Sequence, residues 1–516
     1  MKLLKNNLLF IMKKQLYYLF IGALMFTLLM GCKAKSTSEL NSDVAKFVSA
    51  SKEVISYGYI DFNAIKDKSE LTKIPDLGSF INQQLSSIEG GVKLSDKIHF
   101  AIEGPLNKHG MPKNAYLFLS ISNKDSLQKM FEEMGFFFEQ ENDLMVFYDM
   151  NMAVGFNENT VVMVSANFGD EPKDILMNAF KSFELSEKDE RITEVLSQKT
   201  DVLIASHLEN LYKTSNTSLE NLSEEKQKEL EKMVENGQLV FNLDFNKGDL
   251  TAKLDISKVN KKMKDAYFFK DKAANEITKN IGPGNPFIAM ALSFDVEKLE
   301  DLMERFSPGS EKSFFSAFGP QGQMIESIVG EEVSDMMNGN IGLMVSSETS
   351  TKGSMGVENI PNINLYLGLG KNTSNMMDLL DTFSEEEMVQ DLGDGYYKYD
   401  QSMMLVKDNA IIMHSNDTSK ESFKVKPMET ISEVKDFGNK PFTLFMDLKK
   451  LVDSDLNMTG GQYDVLIGLT DYLIITGDND EIVLKLVLKN QKDNILKQVV
   501  NYYEEDLKRQ AGNFSF

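Results

Sequence analysis

Ala115–Ile121 reads AYLFLSI, and Ile363–Leu369, 248 residues further on, reads INLYLGL. Both alternate in the way a half-buried strand does. The residues after each stretch match as well. Leu127, Met130, Phe131 and Met134 stand at i, i+3, i+4 and i+7 after the first, and Met376, Leu379, Leu380 and Phe383 do so after the second, at an offset of 249. Each set lays one apolar stripe along an amphipathic helix. Asn123 or Asp125 can cap the first helix, and Gly135 ends it.

The correspondence continues colinearly in both directions. Ile60-Asp61-Phe62-Asn63 matches Leu292-Ser293-Phe294-Asp295 at 232, and Ile98–Ile102 matches Ile341–Val345 at 243. Thr160–Ser165 matches Asn409–Ser415 at 250, Ile192–Val195 matches Ile431–Val434 at 239, and Val202–Leu211 matches Phe442–Leu451 at 240. Leu250–Leu254 matches Ile482–Leu486 at 232. Any one short apolar match is weak, but matches in one order with loop-sized drifts in offset read as a duplication. The expected organisation is a first repeat over 46–260, a connector over 261–286 and a second repeat over 287–510. The connector holds a charged, helical Lys261–Asn280 and the Gly/Pro breaker Ile281–Pro286 (IGPGNP).

Hairpin turns are predicted at Asn157-Glu158-Asn159, Asn246-Lys247-Gly248, Lys407-Asp408-Asn409 and Asp478-Asn479-Asp480. Hairpins with interspersed helices make each repeat an α+β domain: a mostly antiparallel sheet with helices packed on one face. The repeats differ by a charged helix in Ser218–Gly237 and an insert at Ser307–Ile328.

The N-terminal region carries an address. Lys13 and Lys14 precede an uncharged apolar run, Leu16–Met30. That is the length of a signal-peptide core and short of the ~20 residues of a membrane span. Leu29-Met30-Gly31-Cys32 then resembles the lipobox of bacterial lipoprotein signal peptides. The resemblance implies that 1–31 is a leader, with Met1 or Met12 as its start, and that Cys32 is acylated. Cys32 is the only cysteine, so no intrachain disulfide forms. Residues 32–45 read as a flexible polar tether. Lys33 follows the cysteine and the first acid is Glu39. The expectation is a lipid anchor on the periplasmic face of the outer membrane, with surface exposure left open.

Without the leader's four lysines the chain keeps 51 of its 55 Lys+Arg against 78 Asp+Glu, a net charge of −27. Such a balance argues against nucleic acid as a partner. Tryptophan is absent while Phe numbers 34 and Met 30. Both suit an irregular apolar core, or the lining of an apolar cavity.

Lipobox, tether and the repeated strand–Asp/Asn–helix openings (YGYIDFNAI, AMALSFDVEKL) together resemble a family of uncharacterised Bacteroidota lipoproteins that carry a domain of unknown function. The resemblance spans most of the mature chain. It implies an envelope location and supplies no catalytic residues.

Chemical motifs are sparse. His99, His109, His207 and His414 lack metal-ligand spacing, and His99 and His414, inside apolar strands, read as partly buried or edge residues. Gly-x-Ser-x-Gly is missing. Leu367–Thr373 has Leu365 where a phosphate loop needs glycine, so it reads as a helix-capping loop. Glu139–Asp143 has Leu144 where a calcium loop needs glycine, and Asp391 and Asp394 are weak calcium candidates beside a reading as solvated turns. No cofactor is expected. The leading functional reading is a non-enzymatic envelope lipoprotein that binds a partner protein or joins an assembly. The alternatives are a carrier with an apolar ligand along Leu127, Met130, Phe131, Met134 and Met376, Leu379, Leu380, Phe383, or a hydrolase with a dispersed site.

Overall fold

The computed structural model describes residues 38–513 except 75–76, 108, 168–170, 215–222, 307–335, 354–355, 371–372, 386–388, 400–401, 416, 418, 432–433, 435–436 and 454–467. The expected tether to residue 45 is corrected at once. Ser38–Ala50 (SELNSDVAKFVSA) is helix α1, with Leu40, Val44, Ala45, Phe47 and Val48 buried. These five form one stripe at helical spacing, and the polar residues between them are what reads as a tether.

The chain continues through β1 (Val54–Ile60), α2 (Phe62–Ser69), α3 (Leu77–Glu89), β2 (Ile98–Glu103), β3 (Asn114–Ser120), α4 (Lys124–Glu133), β4 (Glu139–Glu141), β5 (Leu144–Asp149), β6 (Met152–Phe156) and β7 (Thr160–Ala166). Next come α5 (Pro172–Leu185), α6 (Glu190–Leu196), β8 (Val202–His207), α7 (Leu208–Thr214), α8 (Glu224–Val234), β9 (Gln238–Phe245), β10 (Asp249–Asp255), α9 (Lys261–Asp265) and α10 (Asn275–Asn280). The second series is β11 (Pro286–Ser293), α11 (Val296–Phe306), β12 (Met337–Gly353), β13 (Gly356–Leu369), α12 (Thr373–Glu385), β14 (Gln390–Gly393), β15 (Tyr396–Tyr399) and β16 (Ser402–Lys407). It closes with β17 (Ala410–Ser415), β18 (Phe442–Asp447), α13 (Leu448–Asp453), β19 (Thr470–Gly477), β20 (Glu481–Leu488) and α14 (Ile495–Asn513).

Local chemistry sets the ends of these elements. The Asp61 side chain accepts from Ala64 N to start α2, and Asn123 accepts from Ser126 N to start α4. Asp408 and Asn409 both have positive φ, 52° and 58°, as a two-residue hairpin turn demands.

The strand orders show the duplication. The first sheet runs β9-β8-β1-β2-β3-β7-β6-β5-β4, all antiparallel. The second runs β19-β18-β11-β12-β13-β17-β16-β15-β14, the same order strand for strand, with β20 and β10 beyond β19. The register agrees as well. Tyr59, His99, Phe118 and Val162 lie side by side across the first sheet, and Ala291, Gly342, Tyr366 and Ile412 do so across the second. Those pairs reproduce the offsets 232, 243, 248 and 250.

Alternation along β3 divides the packing. Tyr116 and Phe118 face a core made with α1, α5 and α6, including Phe47, Leu176, Phe180 and Val195. Leu119 faces the opposite way and joins Leu127 and Phe131 of α4, with Leu117 packed against them. The helical layer expected on one face is therefore the larger of two. In the second sheet Tyr366 and Ile412 pack with Ala273, Ile277 and Ile281, while Leu369 and Ile411 pack with Met376 and Leu380 of α12. Each fully buried large apolar side chain contributes ~1.5–3 kcal/mol.

Contacts group the chain into two compact units whose boundaries differ from the expected ones. The first unit holds the described residues up to 214, Gln238–Leu250 and the C-terminal stretch from Lys492, so α14 belongs to it, packed on α2. The second unit holds the described residues of 217–237 and 251–491, so α8 and the whole expected connector belong to it. Ala273, Ile277 and Ile281 of that connector are core, and α10 precedes β11 as α1 precedes β1. The Ser307–Ile328 insert lies outside the described residues. Among the described residues no helix is long and apolar enough to cross a membrane.

Candidate functional site

The expected site residues scatter. Leu29, Met30, Gly31 and Cys32 lie outside the described residues. Leu127 and Phe131 are buried among Phe62, Val92, Leu119 and Phe156, with Met130 packed at their edge, whereas Met134 is 39% exposed. Met376 and Leu380 are buried with Phe294 and Leu369, Phe383 packs beside them, and the side chain of Leu379 is outside the description. The two stripes join helices to strands. Asp391 accepts a hydrogen bond from Gly393 N at 2.7 Å, and Asp394 faces Lys420 at 3.3 Å, so both serve a turn. Among the described residues no three His, Cys, Asp or Glu side chains come together to hold a metal ion.

His99 and His414 are not edge residues. Both are almost fully buried on interior strands, β2 and β17. Burial, reinforced by Lys97, pushes the His99 imidazole down to about 3. His414 is lowered by burial, offset in part by Asp417, whose carboxylate lies 3.3 Å from Nδ1.

A different constellation gathers in the first unit. A cavity of about 350 Å³ lies between the C-terminal end of α1, the face of α5 and the adjoining ends of β2 and β3. Phe47, Ala50, Tyr116, Ile175 and Ala179 supply apolar wall, and Ser51, Glu53, Glu103, Lys113, Asn114, Asn178 and Ser182 supply polar groups. The pleat explains why Glu103 points there. His99, Ala101 and Glu103 share one face of β2, and Asn114, Tyr116 and Phe118 share the same face of β3, which is the face under α1 and α5.

Glu103 is 7% exposed and Asn114 4%. Glu103 accepts from Ser51 Oγ at 2.5 Å, from Asn114 Nδ2 at 2.9 Å and from the Tyr116 hydroxyl at 2.6 Å. All three donors are neutral. At the mouth, Lys113 is bonded to Glu53 at 2.8 Å. Burial first, and then the charge of Glu103, raise the Tyr116 phenol far above its ordinary range, so it stays a donor. Asn114 Oδ1 is buried without a partner.

Sequence reasoning passes over Ser51, Glu103, Asn114 and Tyr116. The available signal is parity: Glu103 and Asn114 are polar at positions where the strand's alternation points into the core.

No family model matches the chain, and no curated protein matches it. Two solved crystal structures of TP0453 are similar to part of it. Crystal form I is 12% identical over 44% of this chain and 82% of its own, with a TM-score of 0.25. Crystal form III is 10% identical over 45% and 85%, with a TM-score of 0.27. Both scores are too low to establish a shared fold.

Proposed function

We propose that this chain is a non-enzymatic, lipid-anchored protein of the cell envelope, held by Cys32 at the periplasmic face of the outer membrane, and that its first repeat is a binding module. The leader and Leu29-Met30-Gly31-Cys32 support the anchor. The observation that carries the binding reading is the cavity at Glu103. Part of its wall is apolar, its polar groups converge, and its lining contains no histidine to act as a base. Ser51 is the only serine bonded to a carboxylate there, and Glu103 already accepts from two further donors. The arrangement suits holding a ligand better than activating a nucleophile.

The anchor is tested by replacing Cys32. Wild-type protein should incorporate labelled palmitate and fractionate with outer membranes, and Cys32→Ala should do neither. A Cys32→Ala protein that remains membrane-bound as before sinks the anchor reading. The binding reading is tested by gentle extraction of the wild type and mass spectrometry of whatever stays with it.

A further inference from the structure

We propose that the cavity of the first repeat binds a small organic ammonium ion, its nitrogen at Glu103 and Asn114 and its apolar body along Phe47, Tyr116 and Ile175. This names a ligand class for the site proposed above and rests on that site being a binding site.

The hydrogen-bond inventory points to a donor. A carboxylate offers about four acceptor positions. Glu103 uses one on Oε1, for Ser51, and two on Oε2, for Asn114 and Tyr116. One position on Oε1 is left over, and Asn114, which lines the cavity, holds a buried Oδ1 without a partner. A buried acceptor without a partner costs its full desolvation, so both positions favour an N–H-bearing ligand.

The charge points to a cation. The lining carries two carboxylates, Glu53 and Glu103, against one ammonium, Lys113, which is bonded to Glu53. Neutral donors alone surround the Glu103 carboxylate at hydrogen-bond distance, and a buried charge is best met by an opposite one. A bare divalent ion fits poorly. Calcium takes about six to eight oxygens, and among the described residues no three His, Cys, Asp or Glu side chains come together to hold a metal ion. The Phe47 and Tyr116 rings, 4.6 Å apart between centroids, offer an aromatic surface to an ammonium and its apolar body.

The second repeat is a natural control. By register Glu103 corresponds to Ser346 and Tyr116 to Asn364. There Asn364 Nδ2 donates to Ile281 O at 2.8 Å and to Pro283 O at 3.4 Å. A Cβ on Gly284 would stand 2.8 Å from Ser346 Oγ. The main chain fills this place in the second repeat, and the acid is gone with the space.

Calorimetry on the detergent-solubilised full-length mature protein at pH 7 and low salt tests the proposal. The probes are n-pentylamine, n-pentanol and pentanoate, nearly equal in size. Pentylamine should bind saturably, pentanol about tenfold more weakly or less, and pentanoate not at all. Glu103→Gln keeps the shape and should weaken pentylamine about tenfold. Lys113→Gln, at the exposed mouth, should strengthen it modestly, which guards against a Glu103 variant that folds poorly. Equal binding of amine and alcohol overturns the ammonium assignment and leaves a binding cavity. Amine binding unchanged in both variants overturns it too, because the amine is then held elsewhere. If all three probes fail, and protein extracted from its membrane retains nothing, the binding reading falls with it.

Discussion

Glu103 and Ser346 occupy one position in two copies of the same sheet. Glu103 pairs with Val54 at the start of β1, and Ser346 pairs with Pro286 at the start of β11. Both first strands slip register just after that pair. A shared irregularity with different side chains marks the place where the copies have diverged, open and acidic in one, closed and neutral in the other.

The divergence makes a stability prediction. Ser346→Glu buries a carboxylate beside Gly284 and Met344, where the main chain already fills the space, and should cost about 3 kcal/mol or more. Glu103→Ser opens onto an existing cavity where water can replace lost bonds, and should cost about 1–2 kcal/mol. Urea midpoints of the two variants decide it. Equal costs contradict the closed site.

His99 predicts acid sensitivity. Its folded value of about 3 lies below the ordinary 6.5, so the unfolded chain binds the extra proton between these limits. Its contribution to stability is whole above pH 6.5 and declines as pH falls through that window, by ~1.4 kcal/mol per unit. His99→Gln should show a shallower loss than the wild type as pH falls from about 6.5 to about 4.5. Parallel curves would mean that the imidazole is not buried neutral.

The helical stripe predicts a contrast between its two ends. Leu127 is fully buried in a closed cluster, so Leu127→Ala should cost ~2–5 kcal/mol. Met134 is more than a third exposed, and Met134→Ala should stay within ~0.5 kcal/mol. A nearly neutral Leu127→Ala would point to a space behind α4 and revive the apolar-carrier reading.

Gly58 holds a close strand approach. A Cβ there would stand 1.9 Å from Leu203 O on β8, so Gly58→Ala must displace backbone and should cost more than ~2 kcal/mol. Gly468, with nothing near its missing Cβ, serves as the control, and Gly468→Ala should be close to neutral. Matching midpoints would show that β1 and β8 part easily.

Much of the fold is legible in the sequence because it rests on local rules. Alternation in AYLFLSI and INLYLGL, helical spacing after each and the turn residues at Asp408 and Asn409 are decided by neighbours along the chain. The offsets between copies come with them, since each match fixes a register. Allegiance is not legible in this way. An apolar stripe says that a helix must bury one face, not which surface will cover it. For that reason the first part of α1, up to residue 45, reads as tether and α10 as connector until packing shows both as core, and α14 reads as part of the second repeat although it packs on α2 of the first.

The acidic cavity is hidden for the same reason. The sequence by itself determined two copies of one antiparallel α+β sheet, their turns and the registers that relate them, because each depends on short-range periodicity. Only the tertiary structure decided that Ser51, Glu103, Asn114 and Tyr116 converge. These residues come from the end of a helix and two strands. Their meeting depends on α1 and α5 lying over that face of the sheet, a packing choice that joins Phe47 to Ile175 and Ala179 from far along the chain.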